Sequence, residues 1–214
     1  AFKAAGMSGV VITAKHHDGF CLWPSAVTEH DVASSSWRGG EGDVLADLSE
    51  ACAAEGLWLG VYLSPWDRHE ACYGTGVPYD DHFVTQLTEV LTGYGPIKEV
   101  WFDGACGEGP DGKRQVYDWP RYIATVREHQ PDAVIFSDAG PDVRWCGNER
   151  AIGGETNCAP LRRAEITVGT SKTAELNRGH ADGTHWVPAE CNTSIRPGWF
   201  WKAGLDEGVK SLDL

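Results

Sequence analysis

The sequence lacks closely spaced cysteine pairs, long apolar runs and an excess of basic residues. Its seven cysteines are scattered without a C-x-x-C pair, and their odd number argues against a zinc ribbon and a fully paired disulfide framework. No stretch reaches the roughly 18 consecutive apolar residues of a membrane-spanning helix. With 18 basic and 31 acidic residues, the net charge of −13 disfavours nucleic acids and anionic membranes as partners, because their phosphates would be repelled.

Tryptophan, in contrast, is abundant, with ten in 214 residues. At this density the indole is often used to pack against a sugar ring, although tryptophan in a core is commoner residue by residue. The length suits one domain with a sizeable core, so we expect a single domain over residues 1–214. The chain opens on Ala1–Gly6, which is typical of a helix end and has neither an initiator methionine nor a signal-like run. The sequence therefore predicts a fragment, and it leaves the cellular compartment and the oligomeric state open.

Apolar runs alternate with segments of helical periodicity along most of the chain. Strand-like runs cover 9–14, 57–63, 99–102, 133–136 and 186–191, and helical patterns cover 43–52, 83–91 and 120–130. The pattern weakens in a polar stretch over 161–184. Apolar strands that alternate with amphipathic helices predict a parallel sheet with helices on its faces. We expect about six strands in all.

Polar side chains follow the carboxyl ends of several predicted strands. His16 and His17 follow the first strand, and Asp103 follows the apolar run Val100–Phe102. Four glycines and a proline lie within residues 104–112, so Asp103 does not precede a helix that it could cap. A (β/α)8 barrel builds its active site at this end of its strands, and an open α/β sheet also binds ligands there. Contributions from several strands favour the barrel.

Five motifs, in this order, resemble glycoside hydrolase family 29, the α-L-fucosidases. They are Ala-Lys-His-His-Asp-Gly-Phe at 14–20, Tyr-Leu-Ser-Pro-Trp-Asp at 62–67, Val-Trp-Phe-Asp-Gly at 100–104, Arg-Trp-Cys-Gly-Asn-Glu at 144–149, and Trp-Val-Pro-Ala-Glu at 186–190 followed by Ser-Ile-Arg-Pro-Gly-Trp-Phe at 194–200. The motifs are similar in particular to the subgroup that acts on α-1,3/1,4-linked fucose. The resemblance covers the whole chain and is weakest over 161–184.

The resemblance implies a (β/α)8 TIM-like catalytic barrel, which in this family is followed by a β-sandwich. It also implies that the barrel is incomplete here, with about six of its eight strands. The first barrel strand, the last barrel strand and the C-terminal β-sandwich are expected to be absent.

The resemblance further implies a retaining glycosidase, in which two carboxyl groups lie about 5 to 5.5 Å apart around the anomeric carbon. Asp103 matches the family nucleophile. Glu149, in its Trp-x-Gly-Asn-Glu setting, is similar to the acid/base of the subgroup. Glu155 and Glu190 are the rival candidates for the acid/base.

Further residues are expected to contact the sugar by the same analogy. His16 and His17 match binders of fucose hydroxyls, although adjacent residues of an extended strand point to opposite faces, and one core and one loop histidine is the alternative. Tyr62 matches a position near the nucleophile, with a core role as the alternative. The other candidates for substrate binding are Trp66, Trp101, Arg144, Trp145, Glu190 and Trp199. Trp101 lies two residues before Asp103, so both side chains point to the same strand face. For Trp66, Trp145 and Trp199 the alternative role is structural packing. For Arg144 the alternative is a solvated surface position.

The implied activity is removal of terminal α-L-fucose from fucosylated oligosaccharides or glycoconjugates, without a cofactor and without a metal. One alternative is an inactive or truncated carbohydrate-binding homologue. Another is a metal-dependent barrel hydrolase that would use His16, His17, Asp103, His180 and His185. The absence of an H-x-H motif and the polar surroundings of His180 and His185 argue against that second alternative.

Overall fold

The computed structural model describes residues 1–150, 152–153, 157, 160–170, 172–200, 202–204 and 208–209. The chain forms two compact units, Ala1–Ser137 and Asp138–Leu214. The first unit contains β1 (Gly9–Lys15), α1 (Val44–Glu55), β2 (Trp58–Leu63), α2 (Val77–Gly93), β3 (Ile97–Trp101), α3 (Trp119–His129) and β4 (Val134–Ser137), with 3-10 turns at Lys3–Ala5 and Trp37–Gly40. The described part of the second unit contains β5 (Val143–Cys146), a 3-10 turn at Arg163–Glu165, α4 (Thr173–Arg178) and β6 (Ala189–Cys191).

The four strands of the first unit form a parallel sheet in the order β1-β2-β3-β4. Their register aligns Thr13 with Tyr62, Tyr62 with Trp101, and Trp101 with Phe136. Because the strands are parallel, the segments that follow them all leave from the same edge of the sheet. This edge therefore carries the loops that begin after Lys15, Leu63 and Trp101.

Local sequence signals explain where the helices begin and end. Asp43 caps α1 by accepting the backbone N–H of Ala46 at 2.9 Å, and Gly56, with φ of 64°, closes that helix in the left-handed conformation. Asp118 caps α3 in the same way through the N–H of Arg121 at 3.2 Å. Both α2 and α3 carry proline in the first turn, where no backbone donor is needed.

The core of the first unit lies between this sheet and its helices. Strand residues of β2 are buried from Leu59 onward, and they pack with buried side chains of α2 such as Phe83 and Leu87. The second unit has a smaller core of Ala139, Leu161, Ile166 and Leu176. Its strands β5 and β6 pair in parallel, with Trp145 aligned to Glu190 and Cys146 aligned to Cys191.

The predicted α/β fold class is confirmed, and the six described strands match the expected number. Strand β5 and helix α4 were not predicted, and β6 is shorter than the apolar run over 186–191. The six described cysteines carry free thiols. Within the described residues, no helix has the length and apolar character that crossing a membrane requires. The single catalytic domain over 1–214 and its missing elements stay predictions.

Candidate active site

The carboxylate of Asp103 lies at the sheet edge, two residues after the end of β3. Its Oδ2 accepts a hydrogen bond of 2.7 Å from the phenol of Tyr62, and its Oδ1 accepts one of 2.8 Å from the backbone N–H of Ala105. Its side chain remains 28% exposed. Burial and the neighbouring carboxylate raise the pKa of Tyr62 well above its usual range, so this phenol stays a donor. Asp103 is thus oriented at both oxygens while one side stays accessible to a ligand.

His17 lies beside this carboxylate, with its Nε2 3.7 Å from Asp103 Oδ2. Its Nδ1 is 2.7 Å from Ser64 Oγ, and that hydroxyl donates its proton to the carbonyl of Trp66 at 2.8 Å. Because the serine proton is already engaged, the network assigns the donor role to Nδ1–H of His17. Burial lowers the pKa of His17 despite the opposing effect of Asp103. The neutral ring therefore presents Nε2 as an acceptor, which suits a sugar hydroxyl.

His16 also reaches the site, contrary to the expectation of opposite faces. Its ring centroid is 4.0 Å from that of His17, and it stacks near Tyr62 at 5.7 Å with an interplanar angle of 11°. The physical reason is that β1 ends at Lys15, so the chain has already turned before the histidine pair. Burial lowers the pKa of His16 as well, which favours its neutral form. Both histidines are half-buried.

Two tryptophans pack against the cluster formed by Asp103, Tyr62 and the two histidines. Trp101 is half-buried and meets the Tyr62 ring edge-on, with centroids 4.9 Å apart. Trp66 packs 4.6 Å from the His17 ring, and its Nε1 donates to the carbonyl of Glu108 at 3.1 Å. A β-carbon at Gly107 would lie 2.0 Å from the Trp66 ring, so glycine is required there for the indole to take this place. The two indoles place apolar surface next to the polar atoms of this cluster.

A buried ion pair that sequence reasoning missed supports these loops. Lys15 is completely buried, and its Nζ donates to Asp67 Oδ2 at 3.0 Å and to Gln86 Oε1 at 2.8 Å. Burial acts to raise the pKa of Asp67, but Lys15 and the N–H groups of Glu70 and His69 outweigh it and hold that pKa below its usual range. The pair ties the residue before His16 to the residue after Trp66. The motif residues contained this signal, since a lysine and an aspartate within apolar strand ends need partners.

The remaining candidates lie in the second unit, where Glu149 is exposed. Trp199 donates its indole N–H to Glu149 Oε2 at 3.2 Å. The loop that carries Glu149 is held by Asn177 of α4, which exchanges hydrogen bonds of 2.7 Å with both the N–H and the carbonyl of Gly147. Sequence reasoning missed Asn177, because it lies where the periodic pattern is weakest.

Glu190 and Trp145 are neighbours across the β5–β6 pair. Glu190 is half-buried, and burial raises its pKa, a property that suits a carboxyl group that has to deliver a proton. Trp145 donates its indole N–H to the Asn192 side chain. The rival acid/base candidate Glu155 lies outside the described residues.

Arg144 is completely buried, so the alternative of a solvated surface arginine is wrong. Its Nε donates to the carbonyl of Val187 at 3.3 Å, and a terminal nitrogen donates to the carbonyl of Asn157. Arginine is rarely buried without such partners. These contacts fix the backbone beside β5, next to the motif that carries Glu149.

Comparison with known proteins identifies the family to which these motifs belong. A family model described as alpha-L-fucosidase matches residues 1–162. The chain belongs to the α-L-fucosidase family. Alpha-L-fucosidase 1 of Arabidopsis thaliana is 51% identical over 99% of this chain.

Solved structures that are similar to this chain are described as members of glycoside hydrolase family 29. A glycoside hydrolase 29 family member from an unknown rumen bacterium is 46% identical over 99% of the chain, which covers 39% of that structure, with a TM-score of 0.86. A Ruminococcus gnavus GH29 fucosidase in complex with fucose is 34% identical over 94% of the chain, which covers 46% of it, with a TM-score of 0.78. The fucosidase-family chain spans 42% of the length of the Arabidopsis protein.

Proposed function

We propose that this fucosidase-family chain carries the catalytic site of a retaining α-L-fucosidase that removes terminal fucose from oligosaccharides or glycoconjugates. The observation that carries the proposal is the carboxylate of Asp103, held at both oxygens by Tyr62 and Ala105 and flanked by two half-buried histidines. The family match and the fucose-bound relative support the identity of the sugar.

In the proposed first step, Asp103 attacks the anomeric carbon of the fucoside and forms a covalent glycosyl-enzyme. Glu149 donates a proton to the departing oxygen, so the aglycone leaves as an alcohol. In the second step Glu149 removes a proton from water, the water oxygen attacks the anomeric carbon, and the bond to Asp103 breaks. Two displacements at one carbon retain the anomeric configuration.

The neighbouring side chains have binding roles in this mechanism. His17 accepts a hydrogen bond from a sugar hydroxyl through Nε2, and His16 and Tyr62 contribute further polar contacts beside the anomeric centre. Trp101 and Trp66 pack against the apolar face and the C6 methyl group of fucose, which suit aromatic surfaces.

The candidates of the second unit have proposed roles as well. Trp199 orients Glu149 through its indole N–H, and Arg144 fixes the backbone of the motif that contains Glu149. Trp145 and Glu190 contact the sugar or its aglycone. The similarity of the motifs to one subgroup supports a preference for α-1,3 and α-1,4 linkages.

The assignment of Asp103 is tested by replacement with alanine or glycine in the full-length protein that contains this sequence. We expect release of the phenol from an aryl α-L-fucoside to be abolished while fucose binding, measured by calorimetry, persists. Turnover like that of the parent would end the assignment. A folded parent protein that binds fucosides without turning them over would instead identify a carbohydrate-binding homologue.

The assignment of the acid/base compares Glu149→Gln with Glu155→Gln and Glu190→Gln. Loss of general acid catalysis costs about 10²- to 10⁴-fold with a poor leaving group. Substrates with strongly acidic phenols need little protonation, so they should retain most of their kcat/KM in the Glu149 variant. Their kcat should fall, because water is no longer deprotonated in the second step, and added azide, which needs no deprotonation, should raise it again. If this pattern appears in the Glu190 or Glu155 variant instead, that residue is the acid/base.

Linkage preference is measured on trisaccharides that differ only in the position of fucose. We expect kcat/KM for α-1,3- and α-1,4-linked fucose to exceed that for α-1,2-linked fucose. The reverse order would contradict the proposed specificity without affecting the assignment of Asp103.

A further inference from the structure

The loop between β2 and α2 brings three metal-ligating side chains together outside the proposed catalytic residues. Ligand atoms of Glu70, Cys72 and His82 all lie within 4.8 Å of one another, the only such group of three among the described residues. Glu70 and Cys72 come from the loop, and His82 comes from α2. We propose that these three residues bind one zinc-type divalent cation.

The spacing of the ligand atoms suits tetrahedral coordination after a small contraction. His82 Nε2 and Glu70 Oε2 are 3.8 Å apart. Zinc bonds of about 2.1 Å to nitrogen and oxygen place neighbouring tetrahedral ligands about 3.4 Å apart. The separations in the cluster, all within 4.8 Å, therefore need to shorten by about 1.4 Å at most, a change that side-chain rotation can supply.

His82 gives an independent reason to expect a ligand at this place. Its side chain is only 10% exposed, and its Nε2 is a buried atom without a hydrogen-bond partner in the described structure. A buried polar nitrogen without a partner is unfavourable and uncommon in folded proteins. A cation between this nitrogen and the Glu70 carboxylate would satisfy both groups.

The donor set indicates which class of cation fits. Thiolate, imidazole and carboxylate together are typical of zinc, whereas calcium and magnesium prefer oxygen alone. Without a cation, burial and the neighbouring Glu70 raise the pKa of the Cys72 thiol to about 12, so the thiol is protonated and unreactive. Coordination to zinc would displace that proton.

The site would fasten a loop that also begins at the proposed sugar site. Glu70 Oε1 accepts the N–H of Cys72 at 3.1 Å, and the N–H of Glu70 donates to Asp67 Oδ1 at 2.8 Å. Asp67 in turn holds the buried Lys15. A cation bound by the loop and by α2 would therefore stabilise the segment that follows Trp66. Three protein ligands leave the fourth position to water, and no step of the proposed reaction uses it.

The test is zinc binding to the full-length protein that contains this sequence, after removal of metal with a chelator and dialysis. We expect Cys72→Ser and His82→Asn each to weaken binding at this site about a hundredfold or more. Controls are Cys52→Ala and His129→Asn, which remove the same residue types from α1 and α3 and should bind zinc like the parent.

A second measurement uses cobalt as the probe and does not depend on one variant folding. The parent loaded with cobalt should show an absorption band for thiolate-to-cobalt charge transfer, and the band should be missing in Cys72→Ser. Zinc at a hundredfold excess over its dissociation constant should also raise Tm by about 2 °C or more in the parent. A parent without the cobalt band, or Cys72 and His82 variants that bind zinc like the parent, would overturn the proposal.

Discussion

The hydrogen bond from Tyr62 to Asp103 predicts a specific kinetic defect in Tyr62→Phe. The bond is 2.7 Å long, and its acceptor is the proposed nucleophile. In the second step the carboxylate regains its negative charge as it leaves the sugar. Tyr62 therefore stabilises the transition state of that step more than the glycosyl-enzyme, in which the carboxylate is an ester. The variant should be slow in hydrolysis of the glycosyl-enzyme.

The magnitude follows from the type of bond. A hydrogen bond to a charged group contributes about 1.5–3 kcal/mol. If about half of the charge has developed in the transition state, the barrier rises by about half of that, which corresponds to a fourfold to thirteenfold slower second step. The first step loses no such stabilisation, because its ground state already contains the charged carboxylate. The free enzyme loses at least as much stabilisation as the first transition state, so we expect kcat and KM to fall together while kcat/KM equals or exceeds that of the parent.

The assay is pre-steady-state release of the phenol from an aryl fucoside with a good leaving group, for which the first step is fast. Tyr62→Phe should show a burst of one phenol per site followed by a slower steady state. Tyr94→Phe is the control, because its phenol donates to the Asp43 carboxylate at 2.9 Å in the cap of α1. That variant should keep the kinetics of the parent. A fall in kcat/KM without a burst, or an equal defect in Tyr94→Phe, would refute the reasoning.

Three further predictions concern the residues that support the site. Lys15→Met should lower the free energy of unfolding by about 3–5 kcal/mol in chemical denaturation, because Asp67 would be left buried without its cation. The control is Lys98→Met, which removes an exposed lysine and should change the free energy of unfolding by about 0.5 kcal/mol or less. The lowered pKa of Asp67 predicts a pH dependence of stability. Its ionised carboxylate stabilises the fold above its unfolded pKa of about 3.9, and this contribution is lost as pH falls through its lower folded pKa. Below a pH of about 3.9, Tm should therefore decline more steeply in the parent than in Asp67→Asn. Ser64→Ala should raise KM about twofold to thirteenfold with little change in kcat, because one neutral hydrogen bond no longer fixes the His17 tautomer; an unchanged KM would contradict the proposed role of Nε2.

The strand and helix alternation of the first unit could be predicted because its elements are long and strongly patterned. Helix α1 begins at an aspartate cap and ends at a glycine, as its sequence indicates. Strand β5 could not be predicted in the same way, because it is four residues long and contains the buried charge of Arg144. Helix α4 has six residues and only Leu176 is buried, so no periodic apolar face marks it.

The sequence likewise predicted some features of the candidate site and could not predict others. The motifs gave the identity of Asp103, Tyr62 and the histidine pair, and the structure brings these residues of the first unit together. The sequence could not show that both histidines share one side, because this depends on where β1 ends. It also could not identify Ser64 as the partner of His17, because serine is common and the contact spans 47 residues of chain.

The most direct test of the account is covalent trapping with a 2-deoxy-2-fluoro-fucosyl fluoride in the full-length protein that contains this sequence. The fluorine at C2 slows both steps, and the reactive leaving group lets the first step proceed, so the glycosyl-enzyme accumulates. The account predicts that peptide mass spectrometry finds one fluorofucosyl group, attached to the peptide containing Asp103 and absent in Asp103→Ala. A label on another residue, or no label in a protein that hydrolyses aryl fucosides, would contradict it.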